Sequence, residues 1–121
     1  MSTHDIVHIE IPAADIKSGG KFYADLFGWK LEEFPEMDYV TFEPGEGPGG
    51  GFNKLSDDVK PGDVMVYVST DDIEATLTKI ESLGGKTVVP KTEIPQTGWF
   101  AWFTDPTGNT MALYTSMNPD G

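Results

Sequence analysis

The chain carries one pattern twice, 57 residues apart. Val7 meets Val64, Asp15 meets Asp72, Ile16 meets Ile73, Leu26 meets Leu83 and Gly28 meets Gly85. Ile11 meets Val68, one apolar residue for another. A repeat of this kind means that the fold is assembled from two copies of one supersecondary unit. The conspicuous mismatch is chemical, because His8 falls on Met65.

Each copy opens with a β-rich segment, Ile6–Pro12 and Asp63–Ser69. In the first copy Asp15 is a candidate helix N-cap. Ile16, Gly20, Tyr23 and Phe27 then recur at helical spacing, and Gly28 supplies the stop. In the second copy Asp71 and Glu74 suggest a capping box, followed by Ile73, Leu77 and Ile80 and the stop at Gly84–Gly85. The interval from Asp15 to Gly28 equals that from Asp72 to Gly85. Gly19 and Gly20 lower intrinsic helix propensity, and their expected use is close packing on a sheet.

Three strand-like segments follow each helix. They are Trp29–Phe34, Tyr39–Phe42 and Gly50–Lys54, then Lys86–Pro90, Trp99–Phe103 and Thr110–Thr115. Each copy is therefore expected to be βαβββ, giving an α+β fold. One such unit cannot bury its sheet face alone. The expected architecture is a curved, cleft-shaped mixed sheet with the helices on the outer face. It forms a single domain, residues 1–121, from modules at about 5–54 and 63–116 joined by linker 55–62.

Eight basic residues against twenty acidic ones give a net charge of −12. Nucleic acid and anionic membrane need cationic surface, so neither is an expected partner. No apolar run approaches the roughly 20 residues that span a bilayer. The opening MSTHDIVHIEI does not read as a secretory signal. The absence of cysteine removes disulfides, thiolate metal sites and cysteine nucleophiles. A cytoplasmic protein is the expectation.

The pieces VHIEIPAADIKSGGKFYADLFGW and FTDPTGNTMALYTS resemble the two ends of a vicinal oxygen chelate domain. This superfamily includes glyoxalase I, bleomycin-resistance proteins, ring-cleaving dioxygenases and fosfomycin-resistance enzymes. The resemblance runs from Val7 to Ser116, and it is strongest to a glyoxalase-like subgroup of mostly unassigned function. It implies paired βαβββ modules, a central cleft and a homodimer.

The resemblance also implies where a divalent metal would be held. The family's ligands are His or Gln on the first strand of each module and Glu on the last. Carried over position by position, they fall on His8, Met65, Gly51 and Ala112. Of these only His8 can serve a hard divalent ion, and catalytic zinc, for instance, normally has three protein ligands. No cofactor is therefore expected. Alternation along the strand places Glu10 on the face of His8. The pair could act as a hydrogen-bonded couple, an acid–base pair, or a two-ligand metal site.

The same alternation puts Met65, Tyr67 and Ser69 on the cleft face, with Ala112, Thr110 and Tyr114. Either Trp99, Ala101 and Phe103 or Phe100 and Trp102 must join them, and the first set is favoured, giving Trp99 and Phe103 as pocket residues. The expected function is binding of a small organic molecule, cationic or aromatic, without the usual metal. The alternatives are a metal-dependent lyase, isomerase or dioxygenase, or a metal-independent enzyme using His8 and Glu10. Whether the chain is an enzyme at all is left open. GEGPGGG, at residues 45–51, follows a strand with no helix after it and carries no lysine, so it does not read as a phosphate loop.

Overall fold

A computed structural model describes residues 4–117. The chain divides into two compact units. One is Val7–Met65; the other comprises, among the described residues, 66–117 together with 4–6. Strands and helices follow in the order β1 (Ile6–Ala13), α1 (Ile16–Phe27), β2 (Lys30–Phe34), β3 (Tyr39–Glu43), β4 (Gly50–Lys54), β5 (Met65–Ser69), α2 (Ile73–Ser82), β6 (Lys86–Ile94), β7 (Gly98–Thr104) and β8 (Thr110–Ser116). A single 3-10 turn, Pro35–Met37, separates β2 from β3. Both halves are thus βαβββ, and the fold is α+β.

In the first unit the strand order is β2-β3-β4-β1. The β1–β4 pair is parallel and the other two are antiparallel. The register places Ile9 beside Gly50, Ile11 beside Phe52, and Val40 beside Phe52. These residues form one face, and α1 covers it. Asp15 caps α1 by accepting from the backbone N–H of Lys17 at 3.0 Å and of Ser18 at 3.3 Å, satisfying donors that a helix start leaves unpaired. At the other end Gly28 adopts φ 77° and donates its N–H to the Ala24 carbonyl at 2.8 Å. Only glycine takes that conformation without strain.

The core under α1 is Ile16, Val40, Phe42 and Phe52, flanked by Ile9, Ile11, Ala13, Tyr23 and Trp29. Its aromatic rings stack, with Trp29 and Phe42 centroids 4.5 Å apart and Tyr23 and Trp29 5.4 Å apart. Gly19 and Gly20 are where the helix comes close to the sheet: a methyl group at Gly19 would lie 2.9 Å from the Ala13 Cβ, and Gly20 faces the core. A methyl group at Gly20 would lie 3.3 Å from Leu31 Cδ1 and 3.4 Å from Phe52 Cε2.

In the second unit the order is β5-β8-β7-β6, again with one parallel pair, β5–β8, among antiparallel ones. The α2 cap is Asp72, which accepts from Ala75 N–H at 3.0 Å. The expected Asp71–Glu74 capping box is thus corrected by one residue, to the position that repeats Asp15. The core is Ile73, Leu77, Ala101 and Leu113, flanked by Val68, Ile80, Trp99 and Phe103. Between β7 and β8 Asp105 Oδ1 accepts from the N–H groups of Thr107, Gly108 and Asn109 at 2.9, 2.9 and 3.0 Å. The Asn109 side chain, which reaches the other carboxylate oxygen at 3.0 Å, is the main cause holding the Asp105 carboxyl below its usual range, with the backbone donors adding to it. No helix among the described residues is long and apolar enough to cross a membrane.

Candidate functional site

In the first unit the strand face opposite α1 carries the candidate residues. Register puts Glu10 beside Gly51, Gly51 beside Thr41, and Thr41 beside Glu32. Alternation adds His8 on β1, Asn53 on β4 and Tyr39 on β3 to the same face. On β1 and β3 the apolar residues Ile9, Ile11, Val40 and Phe42 pack under the helix, so folding of the core presents His8, Glu10, Tyr39 and Thr41 together on the other face.

Three of these side chains form a hydrogen-bonded chain. Tyr39 donates its hydroxyl to Glu10 Oε2 at 2.8 Å. His8 Nε2 lies 2.9 Å from the same Tyr39 oxygen. His8 and Glu10 are themselves 3.7 Å apart, too long for a direct hydrogen bond, and their side chains are 33% and 16% exposed. The tyrosine hydroxyl is therefore the bridge between them. The expected His8–Glu10 couple does come together, but through a residue that strand alternation alone did not reveal.

Gly51 is what lets Tyr39 reach this place. A Cβ at residue 51 would overlap the Tyr39 hydroxyl oxygen and the ring carbon that bears it. The ring lies across β4, directly over a buried glycine. A glycine inside a strand commonly marks such a close approach.

Beside this chain a recess of about 760 Å³ opens at the end of the sheet. His8, Lys30, Glu32, Thr41 and Glu43 line it, together with the loop from Pro44 to Gly50. The glycine-rich run that fails as a phosphate loop thus forms part of its wall. Asn53 Oδ1 is buried with no hydrogen-bond partner, and Asn53 pairs with Pro12, two residues along β1 from Glu10. A buried acceptor without a partner costs about 1–3 kcal/mol, so it marks a place where a donor is wanted.

The expected pocket residues lie elsewhere. Met65, Tyr67 and Ser69 alternate along β5, with Met65 and Tyr67 buried. In the second unit Tyr67 pairs with Ala112 and Ser69 with Tyr114. Ala112 also pairs with Trp102, and Tyr114 with Phe100. This corrects the reading of β7: Phe100 and Trp102 share the face of Ala112, while Trp99 and Phe103 pack with the α2 core. The physical reason is that Ala101, fully buried, is the one small residue that lets α2 approach, and its neighbours two residues away follow it to the helix side. The Trp99 ring also receives Lys91 Nζ, 5.0 Å from its centroid. None of the seven expected pocket residues lines the recess beside His8.

A family model described as the glyoxalase/bleomycin resistance protein/dioxygenase superfamily matches residues 5–113. The chain belongs to this superfamily. A glyoxylase-like domain-containing protein of Didymella fabae is 33% identical over 115 residues, covering 88% of this chain and 90% of that protein. The anthracycline biosynthesis protein DnrV of Streptomyces peucetius is 25% identical over 132 residues, covering 87% of this chain but 44% of its own length. The chain therefore spans under half of that relative. Among solved structures, a superfamily member from Vibrio splendidus superposes with TM-score 0.69 at 16% identity, covering 93% and 98% of the two chains. Methylmalonyl-CoA epimerase from Mycobacterium tuberculosis superposes with TM-score 0.68 at 14% identity, covering 96% and 92%. At those identities the structural likeness shows the fold alone.

Membership raises the question of a divalent metal, and the four implied positions answer it residue by residue. His8 offers an imidazole. Met65 offers a buried thioether, a poor donor for a hard ion. Ala112 offers a buried methyl group. Gly51 offers nothing, and the Tyr39 ring fills the space that a side chain there would need. Among the described residues no group of three or more histidine and carboxylate side chains is placed to hold an ion. These residues do not fit the family's metal.

Proposed function

We propose that this superfamily member binds a small organic molecule on the His8 face of its first module, and does so without a resident divalent metal. The observation that carries this reading is Tyr39 lying over Gly51, hydrogen-bonded toward both His8 and Glu10. The position implied for a metal-binding carboxylate is taken by a hydroxyl, which recognises a ligand by hydrogen bonding. The recess beside it has the size of a small-molecule site.

The ligand is a planar cation or another strong hydrogen-bond donor. Glu10 lies at the His8 chain, Glu32 and Glu43 line the recess against the single cation Lys30, and the unpartnered Asn53 oxygen faces the same side. A net charge of −12 draws cations toward the chain at long range. Benzylammonium, benzyl alcohol and benzoate form a matched series for thermal-shift measurement. The expected result is a rise in Tm with benzylammonium that Glu10→Gln abolishes, and no rise with benzoate. Stabilisation grows with ligand concentration and reaches about 2.7 kcal/mol at one hundred times Kd. Preferential stabilisation by benzoate, or none by the cation, would contradict the reading.

The second reading is acid–base catalysis by His8 and Glu10. Its support is the unbroken path of 2.9 and 2.8 Å contacts through Tyr39, both within the reach that proton transfer needs. Turnover of a bound donor molecule that His8→Gln abolishes while binding persists would separate catalysis from sequestration.

A further inference from the structure

We infer that Tyr39 is a positioning residue for His8, fixing which ring nitrogen carries the proton and leaving Nδ1 as the basic nitrogen of the neutral ring. The count of protons decides it. A carboxylate can only accept, so the hydrogen bond to Glu10 Oε2 uses the single proton of the Tyr39 hydroxyl. The Tyr39 oxygen then has only lone pairs for its contact with His8 Nε2 at 2.9 Å. That contact is a hydrogen bond only if Nε2 bears hydrogen. The conclusion is the same for the neutral and the charged ring, since both nitrogens of the charged ring are protonated.

Two further features hold the arrangement. Gly51 leaves the space in which the Tyr39 ring crosses β4 to β1, because a Cβ there would occupy the place of the hydroxyl. The rings of His8 and Tyr39 lie nearly parallel, 19° apart with centroids separated by 6.5 Å. In metal sites the orientation of a histidine and its tautomer are set by the partner of its second nitrogen. Here a tyrosine–carboxylate pair sets them with no ion involved. The group that a neutral His8 then serves through Nδ1 is a hydrogen-bond donor. This inference goes beyond the binding proposal and does not rest on it, since the ligand-free chain must already show it.

The test is a long-range proton–nitrogen correlation spectrum of the full-length, ligand-free chain labelled with nitrogen-15 at neutral pH. His8→Gln identifies the His8 signals against those of His4. The expected result is a protonated His8 Nε2 whose hydrogen exchanges slowly with water. In Tyr39→Phe that exchange quickens roughly tenfold, the factor corresponding to one net hydrogen bond, while the backbone amide spectrum stays native. Should Tyr39→Phe fail to fold, Glu10→Gln, of the same shape but uncharged, must quicken the exchange in the same direction. A wild-type ring with its proton on Nδ1 alone would overturn the inference. So would Nε2–H exchange unchanged in the variant that folds. Because no ligand enters the measurement, its failure is read separately from failure of the thermal-shift series.

Discussion

Phe52→Ala is expected to lose about 3–5 kcal/mol of folding stability, the range for removing a large buried aromatic side chain. Phe52 is completely buried. Its ring lies 5.2 Å from that of Phe42 and 5.7 Å from that of Tyr23, and its edge faces Gly20 of α1. It therefore joins β4, β3 and α1 in one contact, and no neighbouring side chain can fill the space without pulling the helix off the sheet. Domains of this size hold about 5–15 kcal/mol in total, so the loss is a large share. Urea denaturation checks it: the midpoint should fall steeply with the slope unchanged. A midpoint near that of the wild type would mean that the helix-to-sheet packing has been assigned to the wrong residues.

Gly51→Ala is expected to cost about 2–4 kcal/mol, and to cost it at the site rather than in the core. The new methyl group takes the place of the Tyr39 hydroxyl. The ring must swing away, and with it go the bonds to His8 and to the Glu10 carboxylate. Hydrogen bonds to charged groups contribute about 1.5–3 kcal/mol and neutral ones about 1, and overpacking adds strain. The sign of the coupling is the sharper check. In the double variant Gly51→Ala with Tyr39→Ala the clash is gone, so the two losses should sum to more than the measured loss, by about 0.5–3 kcal/mol. Strict additivity would mean that the two residues do not compete for one space.

How far the sequence announced this arrangement varies from element to element. The repeat located both helices, because an aspartate cap and a glycine stop act through local backbone chemistry that recurs with the residues. Its one slip, Asp71 for Asp72, came from a Glu that mimics a capping box. The shared face of His8 and Glu10 on β1 followed from alternation. The faces of β7 did not, since Trp99–Phe103 is aromatic on both sides and period 2 cannot choose between them. Ala101 decides, through burial that becomes visible only once α2 is seen against it.

The site was legible in half. His8 and Glu10 stood out by type and spacing. Tyr39 did not, because its role depends on a ring crossing one strand to reach the next, and no local pattern encodes that. A signal was present nonetheless at Gly51, which reads first as a lost ligand. A glycine buried within a strand also announces that something else lies over it. The register that pairs Gly51 with Glu10 shows where that something must point. The bare glycine and the tyrosine that lies over it are one structural feature seen from two strands.

The proposed binding site dispenses with a resident divalent metal and uses the Tyr39 hydroxyl at the position implied for a ligand. The most direct measurement is the metal content of the untagged chain, purified without chelators and assayed for nickel, zinc, iron and manganese. The expected result is well under one ion per chain and no change in Tm on adding any of the four. One tightly held ion per chain, lost together with its stabilisation in His8→Ala, would contradict it.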